Sequence, residues 1–168
     1  MAIEPCTITA LNRKSAGVAV GCRNNIGARN SIAAEMPIEL KGRLALKHFG
    51  AVCKGGIHFG SCYMISKIGI MSEKNQKILH MMAAVLETIQ GPWVIGGDWN
   101  CTPDELRKTG WLRMVKGVIC SPKAPTCGDR VLDYFVVSER IHHAVKHVFN
   151  VGDTQCTPPL PNPAPHQC

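Results

Sequence analysis

The sequence predicts one domain of the α/β or α+β class, with a mixed β-sheet at its centre. Three observations support this class. Short apolar and β-branched runs outnumber helical segments, some of these runs are close enough along the chain to form hairpins, and one long helical segment stands between two of them. A chain of 168 residues with 45% hydrophobic residues is long and apolar enough to bury its own core.

The strand predictions come from short runs with apolar or alternating patterns. AGVAVGC is typical of a buried strand, and RLALKHF and GIHFGSCYM alternate between apolar and other residues. The AVCKGG segment between the last two has the length of a hairpin connection. WVIGG is short and fully apolar, while MVKGVIC and RVLDYFVVS are rich in β-forming residues. We therefore predict strands over residues 16–22, 43–49, 56–64, 93–97, 114–120 and 130–138.

The helix predictions come mainly from capping residues. Ser72 suits an N-cap, apolar residues then recur at spacings of three and four, and Gly91-Pro92 ends the pattern, which predicts a helix over 72–90. Thr102-Pro103 followed by two acids predicts a short helix that begins there. Residues 140–148 are expected to form a helical turn. The prolines between 158 and 165 cannot donate the hydrogen bonds of a sheet.

Charge and composition favour an intracellular protein, nuclear or cytoplasmic, with a polyanionic partner. The net charge is +7, and seven Lys or Arg side chains between residues 41 and 77 stand against one acid. Such a balance attracts nucleic acid or phosphorylated lipids, and a merely solvated basic surface is the alternative. No apolar run reaches the roughly 18 residues of a membrane span, and no secretory signal is visible.

The nine cysteines and the late histidines give no strong disulfide or metal pattern. The cysteine count is odd and no Cys-x-x-Cys pair is present, so we expect reduced thiols. His143 and His147 have the i, i+4 spacing of zinc ligands on a helix, but Ala144 stands where a zincin motif carries glutamate. A solvated helical face is the better account of these histidines.

Asp98 and Asn100 are the first candidate functional residues. They stand two apart at the end of the WVIGG strand, so their side chains project in about the same direction. A carboxylate there can orient or deprotonate a water molecule, or hold a divalent cation, and the carboxamide can hold a phosphoryl oxygen or fix the carboxylate. The alternative is a polar turn in which Asp98 caps local amides.

Asp133 and Tyr63 are weaker candidates when taken alone. Asp133 follows two aliphatic residues in RVLDYFVVS, and a carboxylate within an apolar strand is unfavourable unless it is paired or catalytic. A histidine that Asp133 orients would be a suitable partner, while a surface aspartate on an edge strand is the alternative. Tyr63 follows GIHFGSC, where a core or rim tyrosine is the commoner case.

The motifs together resemble a known family. GPWVIGGDWNCTPDEL followed by RVLDYFVVS is similar to the endonuclease/exonuclease/phosphatase superfamily of metal-dependent phosphodiesterases. That superfamily includes apurinic endonucleases, DNase I, inositol polyphosphate phosphatases and the endonucleases of LINE-type retrotransposons. SAGVAVGCR resembles one of its central strands, and SCYMISKIG the stretch that carries its active-site tyrosine. The resemblance covers about residues 15–140.

The resemblance implies a four-layer α/β sandwich of the DNase I-like kind and hydrolysis of a phosphate ester assisted by Mg²⁺ or Mn²⁺. Asp98 would activate the attacking water, and Asn100 would hold the phosphate or support the metal, which makes these two the implied metal site. Tyr63 would contact the phosphate. Asp133 would orient a C-terminal histidine, for which His166 is the late candidate in this sequence.

The sequence also departs from the family pattern. The family has an asparagine and a metal-binding glutamate before the SAGVAV strand, and Glu4 and Asn12 have no evident strand context for these roles. Pro165 stands beside His166 where the family has an aspartate. We therefore expect an N-terminally truncated fold that also lacks its closing strand, with a non-family segment over 1–14, a partial domain over 15–150 and a proline-rich tail over 151–168.

The expected function follows from the matches and the departures together. A metal ion held by few protein ligands should bind weakly. We expect an endonuclease-like hydrolase of nucleic acid with little or no turnover. The alternatives are an inactive domain that binds nucleic acid or another partner, and a phosphatase on the same fold.

Overall fold

Eight strands and four α-helices make up the described part of the chain. The computed structural model describes residues 17–22, 26–32 and 35–150, and the backbone of residues 2–4. The strands are β1 Ala2–Glu4, β2 Val18–Val20, β3 Ala28–Asn30, β4 Leu44–Phe49, β5 Ile57–Tyr63, β6 Trp93–Asp98, β7 Gly117–Cys120 and β8 Asp133–Ser138. The helices are α1 Glu73–Thr88, α2 Pro103–Lys108, α3 Trp111–Val115 and α4 Glu139–His142, and a 3-10 turn, Ile38–Leu40, precedes β4.

Six of the strands form one mixed sheet in the order β3-β4-β5-β6-β8-β7. β5 and β6 are parallel, with α1 in the connection between them, and the other neighbours are antiparallel. β1 and β2 form a small antiparallel sheet that lies against β4 and β5. The helical layer, the large sheet and the small sheet are three layers of the predicted sandwich within the described ranges, so the mixed α/β class is confirmed.

Helix α1 covers one face of the large sheet. The Ser72 side chain accepts a hydrogen bond from the Asn75 amide, which caps the helix as its sequence predicts. The apolar stripe of α1 and the inward residues of the central strands form one buried core, which includes Ile78, Leu79, Met82, Val85, Leu86, Leu44, Leu46, Ile95 and Val136. Each such side chain stabilises the fold by roughly 1.5–3 kcal/mol when fully buried. This core supports the sheet from one side and leaves the opposite face of the sheet free of α1.

The opposite face of the large sheet is covered unevenly. Ala45 and Phe49 alternate with the core residues of β4 and are nevertheless buried, because the small sheet lies over this side. Further along the sheet, Phe135 on β8 is 45% exposed, and its ring lies over Gly96 of β6. Within the described ranges, the half of this face formed by β6, β8 and β7 is therefore open. We call it the open face.

Several predicted boundaries need correction. The strand predicted over 114–120 begins only at Gly117, because the preceding residues form helix α3. Burial of the Trp111 ring, whose Nε1 donates to the Leu79 carbonyl at 2.7 Å, favours this helix. The strand predicted over 130–138 begins at Asp133, and the one over 16–22 spans Val18–Val20. The helical turn predicted over 140–148 is α4, which ends at His142.

The expectation that Glu4 lies outside any strand is wrong. Glu4 is the last residue of β1, where its backbone pairs with Val18 of β2. Asn12, the other residue considered for the early part of the fold, lies outside the described residues. The domain boundaries proposed at residues 15 and 150 stay predictions.

The described cysteines and helices add two further findings. Cys22, Cys53, Cys62, Cys101, Cys120 and Cys127 are free thiols. Within the described ranges, no helix combines the length and apolar character needed to cross a bilayer.

Candidate active site

Trp99 explains how the Gly-Asp-Trp-Asn motif presents its polar residues. Its side chain is fully buried, and its Nε1 donates to the Tyr134 carbonyl at 3.0 Å. The indole also stacks on the Tyr134 ring, with 5.6 Å between ring centroids. Trp99 thus anchors the segment in the core, while Asp98 and Asn100 on either side of it stay only partly buried.

Four polar residues stand in one row across the sheet. Tyr63 pairs with Asp98 across the parallel strands β5 and β6, and Asp98 pairs with Asp133 across β6 and β8. Arg43 extends this row, because the Tyr63 amide donates to the Arg43 carbonyl at 3.0 Å just before β4. Side chains of directly opposed residues lie on the same face of a sheet. Arg43, Tyr63, Asp98 and Asp133, which we call the polar row, therefore share the face away from α1.

The charge of Asp133 acts on the neighbouring carboxylate of Asp98 in the polar row. Directly opposed residues on antiparallel strands have Cβ atoms about 4.5–5.5 Å apart. Asp98 is half-buried and Asp133 is exposed. Burial is the main cause that raises the pKa of Asp98; the hydrogen bond from the Asn100 amide opposes the rise, and the charge of Asp133 adds to it. Asp98 therefore holds its proton more tightly than an isolated aspartate does.

The exposure of Asp133 corrects one step of the sequence argument. Asp133 was expected inside an apolar strand, where burial would make an unpaired carboxylate unfavourable. It is instead the first residue of β8 and is exposed. Its amide donates to Thr126 Oγ1 at 3.0 Å, which fixes the start of the strand. Its position opposite Asp98, and not burial, is what makes Asp133 a candidate.

Asn100 connects the loops that follow β5 and β6. Its backbone has a left-handed φ of 48°, a conformation that asparagine adopts more readily than most residues. Its amide donates to Asp98 Oδ1 at 2.9 Å, and its Nδ2 donates to the Met64 carbonyl at 2.9 Å. Among the described residues its Oδ1 has no hydrogen-bond partner, so this oxygen can accept from a water or bind a cation. This arrangement favours support of a metal over direct contact with phosphate.

Asn75 is a supporting residue that the sequence argument missed. It is 1% exposed, and its Nδ2 donates to the carbonyls of Ile65 at 3.0 Å and Gly69 at 2.9 Å. Its Oδ1 accepts from the Ile65 amide at 3.0 Å. These bonds hold the loop that follows Tyr63 against helix α1. A polar residue on the apolar stripe of the helix was the signal in the sequence that could have identified it.

Gly97 allows β5 and β6 to approach each other at the polar row. A Cβ atom on Gly97 would lie 2.0 Å from the carbonyl oxygen of Cys62, which no side-chain rotation could relieve. At Gly96 the nearest atom would be on the Phe135 ring at 2.6 Å, and that side chain can move. Gly97 is thus a strict packing requirement directly before Asp98, and Gly96 is a less strict one.

The donor set fits a weakly held hard cation. Within the described ranges no three His, Cys, Asp or Glu side chains gather to hold a metal ion. Mg²⁺ nevertheless keeps several waters and often uses one or two carboxylates together with substrate phosphates. Asp98 with Asn100, and Asp133 opposite, supply oxygen atoms of this kind. His166, the candidate general acid, lies outside the described residues.

A separate cleft lies at the other end of the sheet. It has a volume of about 810 Å³ and lies between α1, α3 and α4, lined in part by Trp93, Lys116 and Arg140. The Ser138 hydroxyl in its lining already accepts a hydrogen bond from the Trp93 amide. No member of the polar row lines this cleft.

Comparison with solved structures identifies the fold. The endonuclease domain of TRAS1, a telomere-specific non-LTR retrotransposon, superposes with a TM-score of 0.59 at 14% identity, over 83% of this chain and 66% of that domain. The fold is DNase I-like. The DNase I-like fold expected from the sequence is thereby confirmed.

Two other solved structures are less similar to this chain. The 3′-5′ exonuclease NExo from Neisseria meningitidis gives a TM-score of 0.46 at 13% identity, over 73% of this chain and 62% of the exonuclease. The AP endonuclease LMAP from Leishmania major gives 0.46 at 17% identity, over 70% and 54%. The chain thus spans less than two thirds of the length of each of the three structures. No protein-family model and no curated protein matches the sequence.

Proposed function

We propose that this chain is a metal-assisted phosphodiester hydrolase that acts on nucleic acid at the polar row, with a low rate. The observation that carries the proposal is the opposed pair Asp98 and Asp133 on a DNase I-like fold. Two carboxylates facing each other are unfavourable in the absence of a cation or a proton. Carboxylates with a raised pKa, such as Asp98, are concentrated at sites where they perform chemistry.

Each residue of the site has a distinct proposed role. Asp98, which already accepts the Asn100 amide, has remaining lone pairs that can orient a water and take its proton. Tyr63 contacts the phosphate from the neighbouring strand. Asp98 and Asn100 would hold Mg²⁺ or Mn²⁺, which would neutralise the charge that develops on the phosphate. Asp133 would orient a histidine that protonates the leaving oxygen, and His166, which lies outside the described residues, is the candidate for this role.

Charge supports nucleic acid as the substrate. The chain carries a net charge of +7, and neutralising phosphates along a strand releases counterions, which strengthens binding at low salt. The TRAS1 domain, whose fold this chain shares, is named as an endonuclease. A phosphatase acting on a small phosphomonoester would gain less from a net positive charge of this size.

The low rate follows from the small number of metal-binding carboxylates that the described residues bring to the polar row. Loss of a single electrostatic contributor typically reduces turnover by about 10²- to 10³-fold. Within the described ranges the two carboxylates are not joined by a third metal-binding side chain. An inactive domain that binds nucleic acid through the same surface is the second candidate, because the +7 charge supports binding with or without turnover.

Plasmid nicking at high protein concentration, with Mg²⁺ or Mn²⁺, tests the proposal. We expect slow nicking that EDTA and Asp98→Asn both abolish. Asp104→Asn is the matched control, because Asp104 is an exposed acid of α2 that pairs only with Arg107 in the described structure. Nicking that Asp98→Asn leaves unchanged would refute the site. Nucleic-acid binding with no Asp98-dependent nicking would instead support the inactive binding domain.

A further inference from the structure

Arg43 is the basic member of the polar row, and the described structure gives it few partners. Its Nη1 donates to the Tyr63 carbonyl at 3.5 Å, the limit of a hydrogen bond, and its Cζ lies 5.4 Å from the centroid of the Tyr63 ring. Stacking on the ring fixes the plane of the guanidinium. An arginine has five N–H donors, so most of them remain available.

No acid neutralises Arg43 within the described ranges. The salt bridges there join Lys41 with Glu35, Lys77 with Glu39, Arg107 with Asp104 and Arg130 with Glu105. Arg43 is half-buried, and burial lowers its pKa because it disfavours the charged form. A partly buried charge is unfavourable where it has no counterion, and the described side chains supply none to Arg43. An incoming anion would relieve this cost.

The row also places Arg43 where an anion needs a positive charge. Asp98 and Asp133 repel any phosphate that approaches the open face. Arg43 lies on the other side of Tyr63 in the same row, so its charge offsets this repulsion without pairing with the carboxylates. The planar guanidinium binds two phosphate oxygens at once, which a lysine cannot do.

We propose that Arg43 binds a backbone phosphate of a nucleic-acid strand and holds it over Tyr63, beside the Asp98–Asp133 pair. The location rests on the proposed function, but binding itself requires neither metal nor turnover. A phosphodiester backbone is favoured over a membrane phosphoinositide, because the +7 charge suits a partner with many phosphates and the fold is shared with a retrotransposon endonuclease domain.

Fluorescence anisotropy with a labelled oligonucleotide in EDTA tests this inference separately from hydrolysis. Arg43→Ala should weaken binding by about 10- to 100-fold, as expected for a charge-assisted contact, and should reduce the slope of log K against log salt by about 0.7–0.9. Arg43→Lys should keep the salt slope and weaken binding only a few-fold, because the positive charge remains while the two-point contact of the planar guanidinium is lost. Arg140→Ala is the matched control, since Arg140 is exposed on α4, beyond the far end of β8.

The outcomes separate a binding role from a structural one. Circular dichroism spectra that match the wild type establish that the Arg43 variants are folded. If Arg43→Ala does not fold, the comparison is made with Arg43→Lys alone. A contact with phosphate weakens binding to oligonucleotides of different sequence equally. The proposal would be overturned if Arg43→Ala changed the affinity and the salt slope no more than Arg140→Ala does. A dependence on Arg43 that appears with vesicles containing phosphoinositide, and not with oligonucleotides, would overturn the choice of partner.

Discussion

Replacing Asp98 with asparagine should make the protein more stable at neutral pH. The folded state raises the pKa of Asp98, first through burial and then through the charge of Asp133. Between the unfolded pKa, near 3.8, and the raised folded pKa, the native state binds more protons than the unfolded state. Stability therefore falls as the pH rises through this window. Above it, the ionised Asp98 lowers the free energy of unfolding.

The size of the effect follows from the opposed pair. Like charges directly opposite on antiparallel strands destabilise by roughly 0.2–1 kcal/mol. In a domain of this size about 1 kcal/mol corresponds to a shift in Tm of about 2–4 °C. Asparagine removes the charge and keeps an oxygen that can accept from the Asn100 amide, which lies 2.9 Å from Asp98 Oδ1. We expect Asp98→Asn to raise Tm by about 0.5–4 °C at pH 7.5 in EDTA.

Thermal unfolding followed by circular dichroism at pH 7.5 and pH 4 is the assay. The increase in Tm caused by Asp98→Asn should be smaller at pH 4, where part of the wild-type Asp98 is protonated. Asp104→Asn, which removes an exposed acid paired with Arg107, should give no gain at either pH. A lower Tm for Asp98→Asn at pH 7.5, or an equal shift at both pH values, would refute the electrostatic reasoning for this pair.

Two substitutions and one labelling experiment test the packing around the site. Gly97→Ala should cost at least about 3 kcal/mol, because the new Cβ would meet the Cys62 backbone at 2.0 Å, and a urea midpoint close to that of the wild type would contradict this packing. Thr102→Ala removes the side chain of a complete capping box and should cost about 1 kcal/mol; an unchanged Tm would show that the box contributes nothing. In thiol labelling mapped by mass spectrometry at pH 8, the exposed Cys53 should react quickly. Cys101, whose pKa burial raises to about 11, should react only on unfolding, and fast labelling of the native protein there would contradict its burial.

Local signals predicted the elements around the site. The cap at Ser72, the apolar spacing after it and the Gly91-Pro92 stop predicted helix α1, and capping residues also predicted α2. The position of Asp98 at the end of a buried strand was likewise readable. These signals depend on residues within a few positions of each other, so one sequence is sufficient for them.

Signals that depend on distant packing were not readable. Helix α3 was missed because its apolar residues also suit a strand, and the contact between the Trp111 side chain and the Leu79 carbonyl joins positions far apart in sequence. Arg43 was counted only as part of a basic segment. Its place in the polar row depends on the register of β4 with β5 and on that of two further strand pairs. The segment that carries His166 lies outside the described residues, so the proposed general acid is still a prediction.

The most direct test of the central claim is a crystal structure of the protein with Mn²⁺ and a short phosphorothioate oligonucleotide, which resists cleavage. If the polar row is the site, an anomalous peak for manganese should lie beside Asp98 and Asn100, and a backbone phosphate should lie on the same face, in contact with Arg43. Manganese and phosphate bound elsewhere, for example in the 810 Å³ cleft beside Trp93 at the far end of the sheet, would contradict the assignment.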